Sequence, residues 1–487
     1  MKRTLVLGSP GTGKTTRLLG VMEAALDRGV PPSRIAFVSF TRAAANEAKE
    51  RAKARFNLSD DDLPYFRTLH SLAFHQLGAK RSDVLAEEHL GELAELTGEL
   101  TTSPTGEGPA TRRSADALLT VDHYARTTRQ DLREAWYDHG GELDWHRLLR
   151  FSEAYRLYKS DRGVVDFTDL LADYVRAAGG PVPVEVAIID EAQDLTRLQW
   201  AVADLAFAGA DELWVAGDDR QSIHRWAGAD EDHFLDLVDR GFLLEQLPLS
   251  HRLPRAVFDF AQEIGERISR RYPQHSAPAD REGSVQWIAQ PEEVDLGSGT
   301  WLLLARTRAQ LGALAQVARD QGVAYTVKGA PSVRKADVRL IQSYESWRAG
   351  KFIEGAEAAA VLAAMGLPAH DLVDTKMYRA KDLGVDARPI WHDALVGMSL
   401  DDREYYLGCL RRGARLTDEP RVRVDTIHGV KGAEAEHVLL TTDLTWRTQR
   451  GYELDPDSEH RVFYVGVTRA SESLHLVAPQ TAYGYPL

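Results

Sequence analysis

The chain has 487 residues, 44% of them hydrophobic, which is enough apolar material for two to four packed domains and excludes disorder throughout. Its 73 acidic residues outnumber 59 Lys and Arg, and the net charge of −14 excludes a uniformly basic coat while leaving room for a local basic groove. A single cysteine, Cys409, excludes an intrachain disulfide and a thiolate zinc cluster and points to a reducing, cytoplasmic compartment.

At the start, Met1-Lys2-Arg3 before Leu5-Val6-Leu7 has the look of a secretory leader only until Gly8 and Lys14 break the apolar run. No stretch has the uninterrupted apolar length of a membrane helix, so a soluble protein is expected. Residues 4–7 read as a short buried strand, and residues 15–26 as a helix with Leu18, Leu19, Met22 and Leu26 at helical spacing. Between them Gly8-Ser9-Pro10-Gly11-Thr12-Gly13-Lys14-Thr15 fits the full G-x-x-x-x-G-K-[ST] pattern. The glycines let backbone N–H groups close around phosphate oxygens, and the following helix directs its positive end at them. Lys14 adds a charge near the β and γ phosphates, Thr15 supplies a hydroxyl for magnesium, and Thr16 continues the cradle.

Further buried runs follow at residues 35–40, 184–189, 212–216, 300–304, 421–426, 437–441 and 473–477. Strands alternating with helical stretches imply parallel α/β sheets, and the runs fall into two groups. Residues 76–158 are helical in pattern, with Leu85, Leu90, Leu93 and Leu96, and are interrupted by a Thr/Pro/Gly-rich loop over 101–113. Residues 335–415 form a second helical stretch. The expected organisation is one sheet domain from 1–75 and 159–248, interrupted by a helical insertion at 76–158. A second sheet domain comprises 249–334 and 416–487, interrupted by a reduced accessory segment at 335–415.

The run Val186-Ala187-Ile188-Ile189 ends in Asp190 and Glu191. Asp190 is placed to hold magnesium through its water shell, and Glu191 to orient or deprotonate an attacking water. With the phosphate loop, this pair specifies hydrolysis of ATP or GTP but not its use.

Use is suggested by Gly217-Asp218-Asp219-Arg220-Gln221-Ser222-Ile223-His224-Arg225-Trp226-Ala227-Gly228-Ala229, which strongly resembles motif III of the UvrD/Rep helicases of superfamily 1. The resemblance implies that Gln221 reads the γ-phosphate and that Trp226, with His224 beside it, offers a face to DNA bases. Ser39-Phe40-Thr41-Arg42-Ala43-Ala44 and Thr68-Leu69-His70-Ser71-Leu72-Ala73 resemble the family's DNA-proximal motifs, implying DNA contacts by Phe40, Thr41, Arg42 and His70. Asp166-Phe167-Thr168-Asp169-Leu170-Leu171 matches a further family segment. Leu249-Ser250-His251-Arg252-Leu253-Pro254 and Val465-Gly466-Val467-Thr468-Arg469-Ala470 resemble its two arginine motifs. Arg252 and Arg469 are accordingly expected at the γ-phosphate, Arg252 reaching it from the second domain across the cleft, with His251 at the position that stacks on the base. Asp425-Thr426-Ile427-His428-Gly429-Val430-Lys431-Gly432-Ala433-Glu434 resembles motif V, which implies Thr426 and His428 near DNA and Glu434 at the nucleotide sugar.

Taken together the resemblance implies two RecA-like motor domains of the P-loop NTPase fold, with ATP and Mg2+ as cofactors. Single-stranded DNA and single/double-strand junctions are the implied partners, and the implied activity is 3′–5′ helicase and translocase action in replication, repair or recombination. Departures from the family pattern bear on the nucleotide base. No adenine-reading segment precedes the strand at Thr4, and His251 stands in place of the usual tyrosine, so relaxed discrimination among purine triphosphates is expected. In motif III, His224 and Ala227 replace the frequent tyrosine and arginine. The short segment 335–415 leaves a branch-remodelling translocase with weak unwinding as an alternative, and a nucleotide-dependent binding switch as another. No nuclease domain is expected after the second arginine motif.

Overall fold

Six strands, the central ones buried along nearly their whole length, build a sheet covered on both faces. The strands are β1 (Lys2–Leu7), β2 (Ile35–Ser39), β3 (Phe66–Arg67), β4 (Val186–Asp190), β5 (Glu212–Gly217) and β6 (Leu243–Gln246), in the order β3-β2-β4-β5-β1-β6 with every pairing parallel. Val6, Phe37, Ile188 and Ala216 face the helices Lys14–Asp27 and Arg42–Phe56. Leu7, Val38, Ile189 and Val215 face the other way, onto Leu69–Gln76, Phe167–Arg176 and Arg197–Ala206. The computed structural model describes residues 1–99, 114–139, 143–177, 179–369 and 372–487; the loop expected over 101–113 lies outside the described residues.

A second sheet carries β7 (Ser284–Ile288), β8 (Trp301–Ala305), β9 (Tyr325–Val327) and β10 (Ala330–Pro331), a separate two-stranded pair β11 (Ile353–Glu354) and β12 (Met377–Tyr378), then β13 (Val422–Thr426), β14 (Ala435–Thr441) and β15 (Ala470–Val477). Its order is β10-β9-β13-β8-β14-β15-β7, parallel except for the β9–β10 hairpin. The fold is therefore α/β with two parallel-sheet cores, as expected. The central buried strands fall where their apolar runs predicted. The edge strands β3, β6 and β7, and β9 beside the edge strand β10, did not announce themselves, because they are short and partly exposed, as in Leu243-Leu244-Glu245-Gln246.

The chain divides into unit 1, Met1–Arg252 with Ile268–Ala279, and unit 2, Leu253–Arg267 with Asp280–Leu487. The expected boundary at 249 shifts, because residues 249–252 and 268–279 are bonded into unit 1. Ser250 N donates to Ala277 O at 2.9 Å, and the Tyr272 hydroxyl donates to Leu235 O at 2.7 Å. The helical segment 76–158 belongs to unit 1 and keeps a core of its own, including Leu90, Leu118, Phe151 and Tyr155. The segment 335–415, by contrast, shares one core with the second sheet, where Tyr344, Trp347 and Tyr406 pack with Leu303, Val424 and Leu439. Its helix Leu400–Arg411 presses so closely on the turn before β9 that a Cβ on Gly322 would lie 2.7 Å from the Gly408 carbonyl carbon. Cys409, next in that helix, is buried. Among the described residues no helix is long and apolar enough to cross a membrane.

The helical segment is fastened to the unit 1 sheet domain by buried charge. Asp166 caps the helix Phe167–Arg176, with Asp169 returning the bond to the Asp166 N–H. The Asp166 carboxylate also accepts from Arg126 Nη2 at 2.7 Å, Lys159 Nζ at 2.8 Å and the Tyr155 hydroxyl at 2.8 Å. Burial pushes this carboxyl up, yet Arg126 and Lys159 together hold it well below the usual carboxylate range. Removing one partner of such a set leaves desolvated charge behind. Asp166→Ala is thus expected to destabilise unit 1 by about 3–5 kcal/mol in denaturant unfolding, more than loss of an ordinary helix cap.

Candidate nucleotide and nucleic-acid site

In a parallel sheet the carboxyl ends of all strands share one edge, and unit 1 collects its polar residues there. The phosphate loop leaves β1, with Gly11 and Gly13 at φ of 75° and 79°, values that favour glycine. Lys14 Nζ donates to Gly8 O at 2.8 Å, and the Thr12 hydroxyl to Ser9 O at 2.8 Å. From the end of β4, Asp190 Oδ2 accepts from the Thr15 hydroxyl at 2.9 Å. Burial, and then the neighbouring Glu191 carboxylate, push Asp190 up to about 6 against the pull of Lys14. Buried Asp190 next to half-buried Glu191, with a hydroxyl beside them and a lysine on the same loop, fits a hard divalent cation and the phosphates it accompanies.

The acid pair continues into the end of β5. Glu191 takes a left-handed conformation (φ 54°), and its Oε2 accepts from Gln193 Nε2 at 2.6 Å. The other end of the Gln193 amide, Oε1, accepts from Asp218 N at 3.1 Å. Asp218 in turn accepts from Gln221 Nε2 at 2.7 Å and from Gln274 Nε2 at 2.7 Å. Three residues after Gln221, the His224 ring stacks on Phe40 at 5.4 Å and meets Trp226 edge-on at 6.3 Å. Trp226 is 41% exposed. Phe40, His224 and Trp226 are thus brought together, a few residues along the chain from Gln221, where the path from Glu191 ends. Gln193, Asp218 and Gln274 were not singled out from the sequence. Only the Asp190-Glu191-Ala192-Gln193 string hinted at Gln193, and Gln274 arrives from a distant segment.

Residues 250–252 lie on the phosphate loop. His251 N donates to Gly11 O at 2.9 Å and the Ser250 hydroxyl to Pro10 O at 2.7 Å. Arg252 therefore belongs to unit 1, and not to the second domain from which it was expected to reach, because the two residues before it are bonded to the loop. His251 is exposed beside it. Thr41 caps the helix Arg42–Phe56 by accepting from Ala44 N at 3.1 Å, and Arg42 is exposed. His70 meets Phe167 edge-on at 6.2 Å. Burial first, then His123 and Arg42, lower His70 to about 4, so at neutral pH it brings no positive charge to a phosphate.

Thr426, His428, Glu434 and Arg469 sit in unit 2. Thr426 accepts from Gly429 N at 3.2 Å, folding the loop after β13. Burial, and then Arg306 and Lys431, lower His428 to about 3. The buried Arg469 donates through Nε to Val465 O at 2.9 Å, through Nη2 to the Thr468 hydroxyl at 3.0 Å and through Nη1 to Ala433 O at 3.3 Å. It thereby clamps the loop on which exposed Glu434 stands.

Residues 1–240 match the UvrD/REP helicase N-terminal domain, and residues 421–477 the UvrD-like helicase C-terminal domain. The chain belongs to the UvrD/Rep helicase family. An ATP-dependent DNA helicase UvrD2 of Mycobacterium tuberculosis is 24% identical over 550 aligned residues, covering 97% of this chain and 76% of the relative. An ATP-dependent DNA helicase PcrA of Staphylococcus aureus is 24% identical over 317 residues, covering 57% of this chain and 40% of its own. A solved arterivirus non-structural protein 10 helicase aligns over 98% of this chain and 59% of its own at 12% identity, with a TM-score of 0.36.

Two outcomes follow for unit 1. A Cβ on Gly11 would lie 2.3 Å from the Arg252 Cβ and 2.9 Å from its N, so Gly11→Ala is expected to distort the loop and weaken binding of a fluorescent ATP analogue by about tenfold or more. His70, held below its unfolded value of about 6.5, binds its proton more weakly in the folded chain. The unfolded state is therefore favoured as the pH drops below about 6.5, and the contribution is gone below about 4. The melting temperature is expected to fall across that window, and less steeply in His70→Gln; parallel profiles would remove His70 as a source.

Proposed function

We propose that this chain, an ATP-dependent DNA helicase of the UvrD/PcrA family, moves 3′ to 5′ along single-stranded DNA and parts duplex at single/double-strand junctions in cytoplasmic replication, repair or recombination. The observation that carries the reading is the bonded path from Glu191 through Gln193 and Asp218 to Gln221, in the same segment as His224 and Trp226. It ties Glu191 by hydrogen bonds to Gln221, three residues before His224 in the segment that carries the exposed aromatic face.

In this reading the backbone of Gly8 to Thr16 and Lys14 bind the triphosphate, with His251 and Glu434 toward base and sugar. Thr15 and Asp190 would hold Mg2+, which would neutralise phosphate charge. Glu191 orients the attacking water and accepts its proton. Gln221, responding to the γ-phosphate, pulls on Asp218, and the strain passes along the segment to His224 and Trp226. Arg252 and Arg469 supply permanent positive charge for the transferring phosphoryl group. Phe40, Thr41, Arg42, His70, Thr426 and His428 line the DNA track. His70 and His428, being neutral, act there by hydrogen bonding or stacking.

ATP hydrolysis measured with and without oligothymidine tests this directly. Strong stimulation by DNA is expected, with Lys14→Ala and Glu191→Gln each reducing turnover by about 10²-fold or more. Gln193→Ala is expected to reduce the DNA-stimulated component, the part that depends on the bonded path. Absence of stimulation in the wild type would overturn the motor. Duplexes tailed at either end test direction: unwinding from a 5′ tail alone would reverse it.

A further inference from the structure

The chain has ten tryptophans, and most of those in unit 2 are core residues, as Trp301, Trp347 and Trp391 show at 5%, 2% and 6% exposure. Trp446 is 55% exposed, more than Trp226. It opens the helix Trp446–Leu454, whose start is fixed by a reciprocal cap between Thr445 and Thr448, so the indole is presented by a rigid element. The Arg450 guanidinium lies 5.6 Å from its ring centroid, one turn along the helix. An exposed indole with a cation beside it has an apolar face suited to stacking and a charge suited to phosphate.

Its place in the sheet gives that surface a context. β13, β8 and β14 are adjacent and parallel, so the segments leaving them share one rim. The segments are also bonded to each other. Ile427 N, in the loop holding Thr426 and His428, donates to Ala305 O at the end of β8 (3.0 Å). Gln310 Nε2, in the turn after β8, donates to Asp443 O in the segment leading to Trp446 (2.9 Å). The rim thus runs continuously from Thr426 past exposed Arg308 to Trp446 and Arg450. Carboxylates near it have partners: Asp443 accepts from Gln480 N and Thr481 N, Asp455 from Ser458, and Glu453, exposed on the same helix, from Gln449. Trp287, also exposed, lies instead on the outermost strand β7, away from β13.

We infer that Trp446, with Arg450 beside its ring, is a base-stacking platform for single-stranded DNA carried by unit 2, additional to Trp226 in unit 1. This rests on the DNA-motor reading above. Stacking on an aromatic ring tolerates any base, so the platform adds grip without sequence preference.

The test is anisotropy of a labelled oligothymidine titrated with the full chain, its Trp446→Ala, Trp446→Phe and Arg450→Ala variants, and Trp226→Ala. Trp446→Ala is expected to weaken binding by about tenfold, with Trp446→Phe recovering most of the loss. Arg450→Ala is expected to flatten the slope of log affinity against log salt by about 1. Unchanged melting curves check the fold. Independently, DNA-induced quenching of tryptophan fluorescence is expected to be smaller in Trp446→Phe than in the wild type. Wild-type affinity and quenching in the Trp446 variants, alongside a weakened Trp226→Ala, would overturn the inference alone and leave the surface, with exposed Leu454, to a protein partner. Failure of the wild type to bind oligothymidine would overturn the inference and the motor reading together.

Discussion

Two carboxylates at the end of one buried strand set the terms for unit 1. Asp190 and Glu191 are adjacent in sequence, repel each other and lie where solvent screens poorly, so the groups around them are there to make that burial tolerable. Thr15 and Lys14 answer Asp190 from the phosphate loop, and Gln193 answers Glu191. Each partner is fixed by something further out: the loop by residues 250–252, Gln193 by Asp218, and Asp218 by Gln221 and Gln274. A change of charge among the acids is therefore felt several residues away, through bonds that must lengthen or exchange partners rather than through loose side chains.

Unit 2 is organised by packing more than by charge. Its helical segment 335–415 was expected as a reduced accessory part, yet it is continuous with the core of the second sheet. The helical segment of unit 1 follows the opposite plan, with its own apolar core and an ionic fastening through Asp166, Arg126 and Lys159. Buried ion pairs fix geometry without adding much net stability, whereas a shared apolar core adds both. The two insertions are thus attached by different physics.

The central strands and the phosphate loop were legible in the sequence because each rests on local information: an apolar run of strand length, glycines where φ turns positive, acids at a strand end. Motif order carried the family. Arg252 was misplaced because the 249–254 string resembles a family motif but carries no sign of which unit its backbone joins; Ala277 and Gly11, bonded to Ser250 and His251, decide that from 27 and 240 residues away. The same distance hid Gln274 and the Arg126–Asp166 pairing. The partly exposed strands β6 and β7 lacked an apolar run that continues along the strand. Trp446 shows the converse: its residue type was visible, but exposure and the bonded rim beneath it exist only in three dimensions.

The contact between Gly322 and Gly408 has a practical consequence through its neighbour. Cys409 is the sole thiol of the chain, and burial raises it above the usual thiol value, so in the closed arrangement it is both hidden and poorly ionised. Its rate of reaction with a small alkylating reagent is consequently a clock for how often the core around helix Leu400–Arg411 opens. Engineered surface cysteines can be labelled over a nearly silent background while that clock runs.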